Sequence, residues 1–210
     1  MEINLHNMDC LKAMQKMKDN EFDLAIVDPP YGINVTKMTM GKGSGNDKGK
    51  HDEKKKWDVS IPKKEYFEEL KRVSKNQIIW GGNYFLDYLG NTRCMLLWDK
   101  KDYNSDFAAG ELAWTSFNKN IKIYQRARSK ENDNKNKIHP TQKPVKLYEW
   151  LLMNYAEKGN KILDTHLGSG SIAIACDNLG YDLEGFELDK EYFEAANKRL
   201  KQHQSQIKMF

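Results

Sequence analysis

The tetrapeptide Asp28-Pro29-Pro30-Tyr31 directly follows the apolar run 22–27 and combines residues suited to holding a planar amine. Asp28 can accept a hydrogen bond from an exocyclic amino group and favour positive charge that develops on it. The prolines stiffen the backbone and present carbonyl acceptors without a competing N–H donor. Tyr31 adds a flat ring on which a flipped base can stack. The pattern predicts a pocket for an amino-bearing base; a strand running into a proline-rich turn capped by Asp28 is the alternative.

The segment 161–171 is typical of a strand, a glycine turn and a helix. Gly168 and Gly170 would let the backbone approach a ligand at the helix N-terminus, where free N–H groups lie. Glu187 ends the next strand, where an acidic side chain can hold both ribose hydroxyls of a nucleoside. The third glycine of a dinucleotide site and the P-loop motif are both missing, which favours a nucleoside without phosphates. A tight turn with Glu187 merely exposed is the alternative.

The segment 138–144 carries two prolines, a hydroxyl and a lysine directly before a predicted helix. By its residue types alone it is a rigid, polar helix entry, and a purely structural loop is an equal alternative.

Alternating strands and helices must position these motifs. Strands are predicted at 2–5, 22–27, 77–80, 93–98, 111–117, 121–125, 161–163 and 182–186, and helices at 8–17, 62–73, 83–89, 144–155, 171–179 and 189–201. An antiparallel middle between alternating ends predicts a mixed, mostly parallel α/β sheet. We expect a single domain over 1–210, with a mobile basic loop at 32–57 and a small recognition region within 99–138.

Composition narrows the class of protein. The 210 residues suffice for one domain with a substantial core, and 34 basic against 30 acidic residues give a net charge of +4, compatible with a polyanionic partner. The three cysteines are widely spaced without a CxxC pair, which indicates reduced thiols and no zinc site. Neither a signal peptide nor a membrane-spanning apolar run is present, so a soluble, cytoplasmic protein is predicted.

Taken together, the motifs resemble the amino-methylating DNA methyltransferases, which transfer a methyl group from S-adenosylmethionine to adenine N6 or cytosine N4. The match consists of DPPY at 28–31, HPTQKP at 139–144 and the glycine turn DTHLGSG at 164–170, followed by Glu187. With the target-amine motif before the cofactor motif, the order resembles the permuted beta class, and the likeness spans nearly the whole chain. It implies a Rossmann-like methyltransferase fold with a seven-stranded, mostly parallel sheet flanked by helices, the last strand in order being antiparallel.

The resemblance also assigns roles to residues. It implies that Asp28, Pro29, Pro30 and Tyr31 are catalytic and hold the target base. The residues that it places at the cofactor are Asp9, Cys10, Asp28, Thr141, Lys143, Pro144, Asp164, His166, Leu167, Gly168, Gly170, Ser171 and Glu187. Our candidates for DNA contact are Lys37, Lys42, Lys54, Lys55, Trp57, Asn83, Tyr84, Arg126 and Arg128, of which Trp57, Asn83 and Tyr84 are candidates for the target pocket. No metal site is predicted. His166 stands where such proteins commonly carry Phe; an imidazole there can pack against the methionine portion of the cofactor.

The function that the resemblance implies is site-specific, base-flipping methylation of adenine N6 in DNA, as in restriction-modification, with a homodimer possible. Cytosine N4 is the nearest alternative, although Ser more often opens its tetrapeptide. A protein-glutamine methyltransferase, whose tetrapeptide usually begins with Asn, is a further alternative. An inactive nucleic-acid-binding module of the same fold is the alternative outside the enzymes.

Overall fold

A computed structural model of the protein describes residues 1–33, 58–104, 108–127, 138–139 and 141–207. Its strands are β1 (Ile3–Asn7), β2 (Phe22–Val27), β3 (Ser74–Trp80), β4 (Met95–Asp99), β5 (Gly110–Thr115), β6 (Lys122–Gln125), β7 (Lys161–Asp164) and β8 (Asp182–Glu187). Its helices are α1 (Cys10–Met14), α2 (Lys64–Val73), α3 (Leu86–Leu89), α4 (Val145–Tyr155), α5 (Ser171–Leu179) and α6 (Lys190–Ile207), and a 3-10 turn spans Gly82–Tyr84.

All eight of these strands belong to one sheet, in the order β1-β8-β7-β2-β3-β5-β4-β6. β5 is antiparallel to both of its neighbours, β3 and β4, and every other adjacent pair is parallel. The predicted mixed, mostly parallel α/β fold is therefore confirmed. The strand count of seven implied by the resemblance is wrong, because each of the eight strands read individually from the sequence joins the sheet. The antiparallel strand is third from the β6 edge rather than last.

Helices cover both faces of the sheet because the strand side chains alternate between two apolar clusters. Leu24 and Ile26 of β2 pack in the cluster that includes side chains of α4, α5 and α6. Ala25 and Val27 point the other way, into the cluster with α1, α2 and α3. With both faces covered, a ligand crevice is left at the carboxyl ends of the strands.

Several element ends differ from the predicted ones for identifiable reasons. β3 begins at Ser74 rather than at residue 77, because Ser74 pairs with Phe22 of β2. α6 continues to Ile207 rather than ending at residue 201. Polar contacts hold its last turns against α5, among them the 2.7 Å contact of His203 Nε2 with Asn178 Oδ1. The predicted helix 83–89 divides into the 3-10 turn and α3.

The direction of β5 decides which of its residues reach the carboxyl edge of the sheet. Gly110 and Glu111, at the start of β5, pair with Asp99 and Trp98 at the end of β4. In a parallel strand these residues would lie at the opposite edge. The carboxyl ends of β2, β3, β4, β7 and β8 and the amino end of β5 therefore share one edge.

Within the described ranges, no helix is both long and apolar enough to span a bilayer. The same ranges contain no cluster of three or more potential metal ligands. Cys10, Cys94 and Cys176 are all free thiols.

Candidate active site at the carboxyl edge of the sheet

Asp28 lies just beyond β2, beside the end of β7, since Ala25 pairs with Leu163 and the two strands run in parallel. Its Oδ1 accepts a hydrogen bond from the Tyr31 hydroxyl at 2.5 Å. Its Oδ2 accepts one from Lys143 Nζ, also at 2.5 Å. A carboxylate offers about four lone-pair sites. Asp28 is thus fixed by two donors and keeps acceptor capacity for an amine.

Lys143 is joined to the target-amine motif by this contact. Its side chain is 2% exposed, and its Nζ also lies 3.0 Å from Glu111 Oε2. Burial alone would lower the pKa of Lys143, but the carboxylates of Asp28 and Glu111 more than offset it, so the pKa is raised and the side chain is an ammonium. The resemblance implied a place for Lys143 at the methionine end of the cofactor. That role stays a prediction, whereas its contact with Asp28 was not foreseen.

Tyr31 is not an open stacking plate, because one face of its ring is covered. It stacks on Tyr84 with the ring centroids 5.0 Å apart and the planes 14° from parallel. Gly81 lies against the same ring: a Cβ at this position would fall 2.2 Å from Tyr31 Cε1. Gly81 also has a φ of +68°, in the left-handed region. The turn after β3 therefore needs glycine on two grounds, and it sets where Tyr31 can lie.

The glycine turn and Glu187 are in direct contact. Gly168 and Gly170 have φ values of 52° and 70°. The Gly168 N–H donates to Glu187 Oε2 at 2.9 Å, and the Asp189 N–H donates to Oε1 at 2.9 Å. Each carboxylate oxygen retains a lone pair for a ribose hydroxyl. Burial raises the pKa of Glu187 above its ordinary value.

The start of the HPTQKP segment covers this turn. The His139 ring carbon Cγ would lie 3.7 Å from a Cβ at Gly168, and the ring packs edge-on against Tyr192 of α6, with the centroids 4.5 Å apart. Thr141 Oγ1 is 3.1 Å from His139 Nδ1. Pro144 precedes α4 as its N-cap residue. The segment thus spans the distance from the glycine turn to Asp28.

Asp164 ends β7 and is buried, with a relative exposure of 2%. Its Oδ1 accepts from the backbone N–H of His166 at 3.0 Å. Burial raises the pKa of Asp164 to about 8 against this opposing hydrogen bond, and the negative charges of Asp28 and Glu187 add to the rise.

His166 is an uncharged ring at neutral pH. Burial lowers its pKa to about 4. Its Nδ1 lies 2.9 Å from Thr165 Oγ1, and its ring meets Tyr66 edge-on with the centroids 5.4 Å apart. The replacement of the common Phe by His therefore keeps a neutral aromatic side chain beside the crevice.

Asp9 and Cys10 lie where β1 passes into α1. The Asp9 carboxylate caps the helix by accepting from the Leu11 N–H at 2.9 Å. Burial raises the pKa of Cys10 to about 12, with the charges of Asp9 and Asp164 adding to the rise, so the thiol stays protonated and is no nucleophile. These charges place the pair within electrostatic reach of the β7 end.

Two of the predicted cofactor residues have buried side chains, and their role at the cofactor stays a prediction. Ser171 is buried, and its Oγ accepts from Arg199 of α6 at 2.9 Å. Leu167 is also buried, and its backbone N–H donates to Phe186 O at 2.9 Å. Their positions hold the glycine turn to α6 and β8.

Most of the predicted DNA contacts cannot be placed. Lys37, Lys42, Lys54, Lys55, Trp57 and Arg128 lie outside the described residues. Asn83 and Tyr84 lie on the 3-10 turn beside Tyr31. Arg126 directly follows β6, where its carbonyl accepts from Trp98 Nε1 at 3.0 Å. It is four strand positions from β2, roughly 19 Å at ordinary strand spacing.

The sequence reasoning missed Gly81, Glu111 and Lys100 as functional candidates. The Gly-Gly pair after β3 was a visible signal for Gly81. No sequence pattern pointed to Glu111, because its place at the carboxyl edge depends on the direction of β5.

The donor set suits a nucleoside carrying a cationic tail. Glu187 retains lone pairs for hydroxyls, the glycine turn leaves space where side chains would stand, and Asp164 can ionise toward a positive charge. A nucleoside site on β7 and β8 beside an amine-holding carboxylate on β2 is the arrangement of the Rossmann-like methyltransferases. The chain belongs to the DNA methylase family, whose profile matches residues 50–198. It is an amino-methylating DNA methyltransferase that uses S-adenosylmethionine.

Individual relatives agree with this family. The type II methyltransferase M.HpaI of Haemophilus parainfluenzae is 26% identical over 95% of this chain and 74% of its own length. M2.DpnII of Streptococcus pneumoniae is 25% identical over 93% of this chain and 88% of its own. In fold, the chain is similar to the M1.HpyAVI-SAM complex, with a TM-score of 0.64 and 21% identity over 94% of this chain and 98% of that one. It is also similar to the PvuII cytosine-N4-specific enzyme, with a TM-score of 0.62 and 13% identity over 99% and 93%.

Gly81→Ala should displace Tyr31 and impair methyl transfer. Misplacing a reacting group by about 1 Å can cost on the order of 100-fold in rate, and we expect a loss of that order in kcat. Gly90→Ala is the matched control, because Gly90 has a similar φ of +77° but no atom within 4 Å of an added Cβ. Steady-state kinetics and melting temperatures of both variants test this; equal kcat values in the two would contradict it.

Asp164→Asn should change how stability depends on pH. The unfolded carboxyl ionises near its ordinary pKa of 3.8, whereas the folded one stays protonated up to about 8. Its contribution to wild-type stability is therefore complete at low pH and is lost as the pH rises through this window. Asparagine does not titrate and still accepts from His166. From about pH 5 to about pH 8 the variant should gain roughly 2 to 4 kcal/mol relative to wild type, measured by urea unfolding. A constant difference would contradict the buried, neutral Asp164.

Proposed function

We propose that this methyltransferase modifies the exocyclic N6 of adenine at a specific DNA site, in a restriction-modification setting like that of its type II relatives. The observation that carries the choice of base is Asp28. An aspartate opens the tetrapeptide, where the cytosine enzymes more often have Ser. Its carboxylate lies beside the end of β7, at the edge where the glycine turn lies.

The chemistry follows from the acceptors around Asp28. With a flipped base in the pocket, Asp28 and the Pro29 carbonyl accept the two amine hydrogens and free the nitrogen lone pair for attack. S-adenosylmethionine would supply the electrophilic methyl group on its sulfonium: the C–S bond would break as the N–C bond forms, the cofactor would leave as a neutral thioether, and one amine proton would be released to solvent. Much of the rate then comes from near-attack geometry, which can lower a barrier by roughly 7 to 11 kcal/mol. Lys143 and the Tyr31 hydroxyl hold the carboxylate in place for this step.

Tyr84 competes with the base for one face of Tyr31. A base between the rings needs centroids about 7 Å apart, twice an ordinary contact distance, and the rings are 5.0 Å apart. Tyr84 is 44% exposed on its single 3-10 turn. A base that stacks on this face therefore displaces Tyr84 outward, and Tyr84 then forms part of the pocket wall.

DNA contacts by the basic segments, a homodimer and a cytoplasmic location complete the proposal. The free thiols favour a reducing compartment. Light scattering of the purified protein measures the oligomeric state.

Nucleoside mass spectrometry identifies the modified base. DNA incubated with the protein and the cofactor should yield N6-methyladenine after hydrolysis. N4-methylcytosine instead would reverse the choice of base while leaving the family intact. Methyl groups on protein glutamine would point to the other alternative, and a folded protein that binds the cofactor without transfer would be an inactive module.

Asp28→Asn and Glu187→Gln should separate base chemistry from cofactor binding. Asparagine keeps the shape of Asp28 and, unlike alanine, leaves an acceptor for Lys143. We expect kcat to fall on the order of 100-fold or more, with the cofactor Kd changed by less than about twofold. Losing hydrogen bonds to a charged group typically costs about 1.5 to 3 kcal/mol, so Glu187→Gln should raise the cofactor Kd about 10-fold or more. Calorimetry without DNA measures both constants, and undiminished turnover by Asp28→Asn would remove Asp28 from its role.

A further inference from the structure

A chain of alternating charges runs inward from Asp28. Lys143 Nζ lies 2.5 Å from Asp28 Oδ2 and 3.0 Å from Glu111 Oε2. Lys100 Nζ lies 2.5 Å from Glu111 Oε1, and the Lys100 side chain is only 6% exposed. The two carboxylates and two ammonium groups sum to zero charge. We refer to these residues as the Asp28–Lys100 cluster.

Aromatic rings fix both lysines of the cluster. Lys143 Nζ is 5.3 Å from the centroid of Trp80, and Lys100 Nζ is 5.1 Å from that of Trp98. Both tryptophans are buried in the apolar cluster that packs under α4. An ammonium over an aromatic face gains further stabilisation when it is desolvated. These ring contacts add to the ion pairs that hold the two lysines in place.

Glu111 is charged throughout the pH range in which the protein can work. Burial would raise its pKa, but the ammonium groups of Lys143 and Lys100 lower it to about 2. Removing one member of a buried ion pair is costly because it leaves an uncompensated charge. The cluster consequently behaves as one unit, and a change at Lys100 or Glu111 alters the field at Asp28.

We propose that Glu111 and Lys100 are positioning residues for methyl transfer, because they set how strongly Lys143 interacts with the Asp28 carboxylate. Without Glu111, Lys143 would pair with Asp28 alone. This stronger pairing would weaken Asp28 as a hydrogen-bond acceptor for the amine. Without Lys100, Glu111 would attract Lys143 more strongly, and the interaction of Lys143 with Asp28 would weaken. The inference rests on amino-methyl transfer and not on which base is modified.

Other groups also face Asp28 and remain unchanged in this scheme. The Tyr31 hydroxyl donates to it directly. Asp164 at the end of β7, Tyr148 on α4 and Tyr66 on α2 each interact with its charge. These groups are the same in every variant. A shift of the pH profile that differs between the Glu111 and Lys100 variants is therefore caused by the substituted residue.

The experiment compares kcat against pH for wild type, Glu111→Gln and Lys100→Met, using methyl incorporation from labelled cofactor into DNA. Glu111→Gln should lower kcat about 10- to 100-fold. It should also move the acid limb of the profile, which is the fall of kcat toward low pH, to lower pH. Lys100→Met should move the acid limb to higher pH, each shift being on the order of one pH unit. The cofactor Kd should change by less than about twofold in both, because neither residue touches the glycine turn.

Lys75→Met is the matched control. Lys75 pairs with Asp23 at 2.7 Å at the opposite, amino edge of the sheet. This variant also removes one charge from an ion pair, yet it should leave kcat and the acid limb at their wild-type values. A shift as large as that of Lys100→Met would show a general effect of net charge and would overturn the inference.

Unshifted acid limbs, or shifts in the same direction for both variants, would also overturn it. If either single variant melts below the assay temperature, Glu111→Gln combined with Lys100→Met replaces it, because this pair keeps the buried charge neutral. The double variant should shift the limb in the direction of Glu111→Gln. A wild-type profile from the folded double variant would reduce the cluster to a structural role. Cytosine as the modified base would leave every one of these comparisons valid.

Discussion

A buried ammonium group must be paired, and this requirement organises the functional edge of the molecule. Lys143 satisfies it with Asp28 on one side and Glu111 on the other, while Trp80 lies beneath it. The target-amine motif, the HPTQKP segment and β5, far apart in sequence, are thereby brought to one point. At that point a carboxylate is held within reach of the crevice formed by the glycine turn.

Strand direction and small residues supply the rest of the geometry. Because β5 runs against its neighbours, its second residue stands where the carboxyl ends of β3 and β4 lie. The glycine at the end of β3 lets an aromatic ring occupy the space that a side chain would fill, whereas at Gly168 an added Cβ would make only ordinary contact with the His139 ring, at 3.7 Å. Close backbone approach at Gly81 thus sets where the Tyr31 ring lies.

Much of this could be predicted from the sequence. Hydrophobic periodicity located every strand to within a few residues, and the predicted glycine turn is present, with Gly168 and Gly170 at positive φ. Long-range pairing could not be predicted, because periodicity carries no information on strand direction or on which charges meet. Lys143 was therefore assigned to the cofactor alone, and Glu111 was read as an ordinary strand residue. The sequence made Tyr84 a candidate for the target pocket, but it did not predict that Tyr84 would stack on Tyr31.

Mobile ions reach fully exposed charges more readily than the Asp28–Lys100 cluster, whose lysines are almost wholly shielded and whose carboxylates are 17% and 23% exposed. At about 0.1 M salt, interactions between exposed charges are screened beyond roughly 10 Å. Attraction between basic surface side chains and nucleic acid phosphates weakens accordingly. Ionic strength should therefore change the affinity for DNA, while the electrostatic potential beside Asp28 changes little.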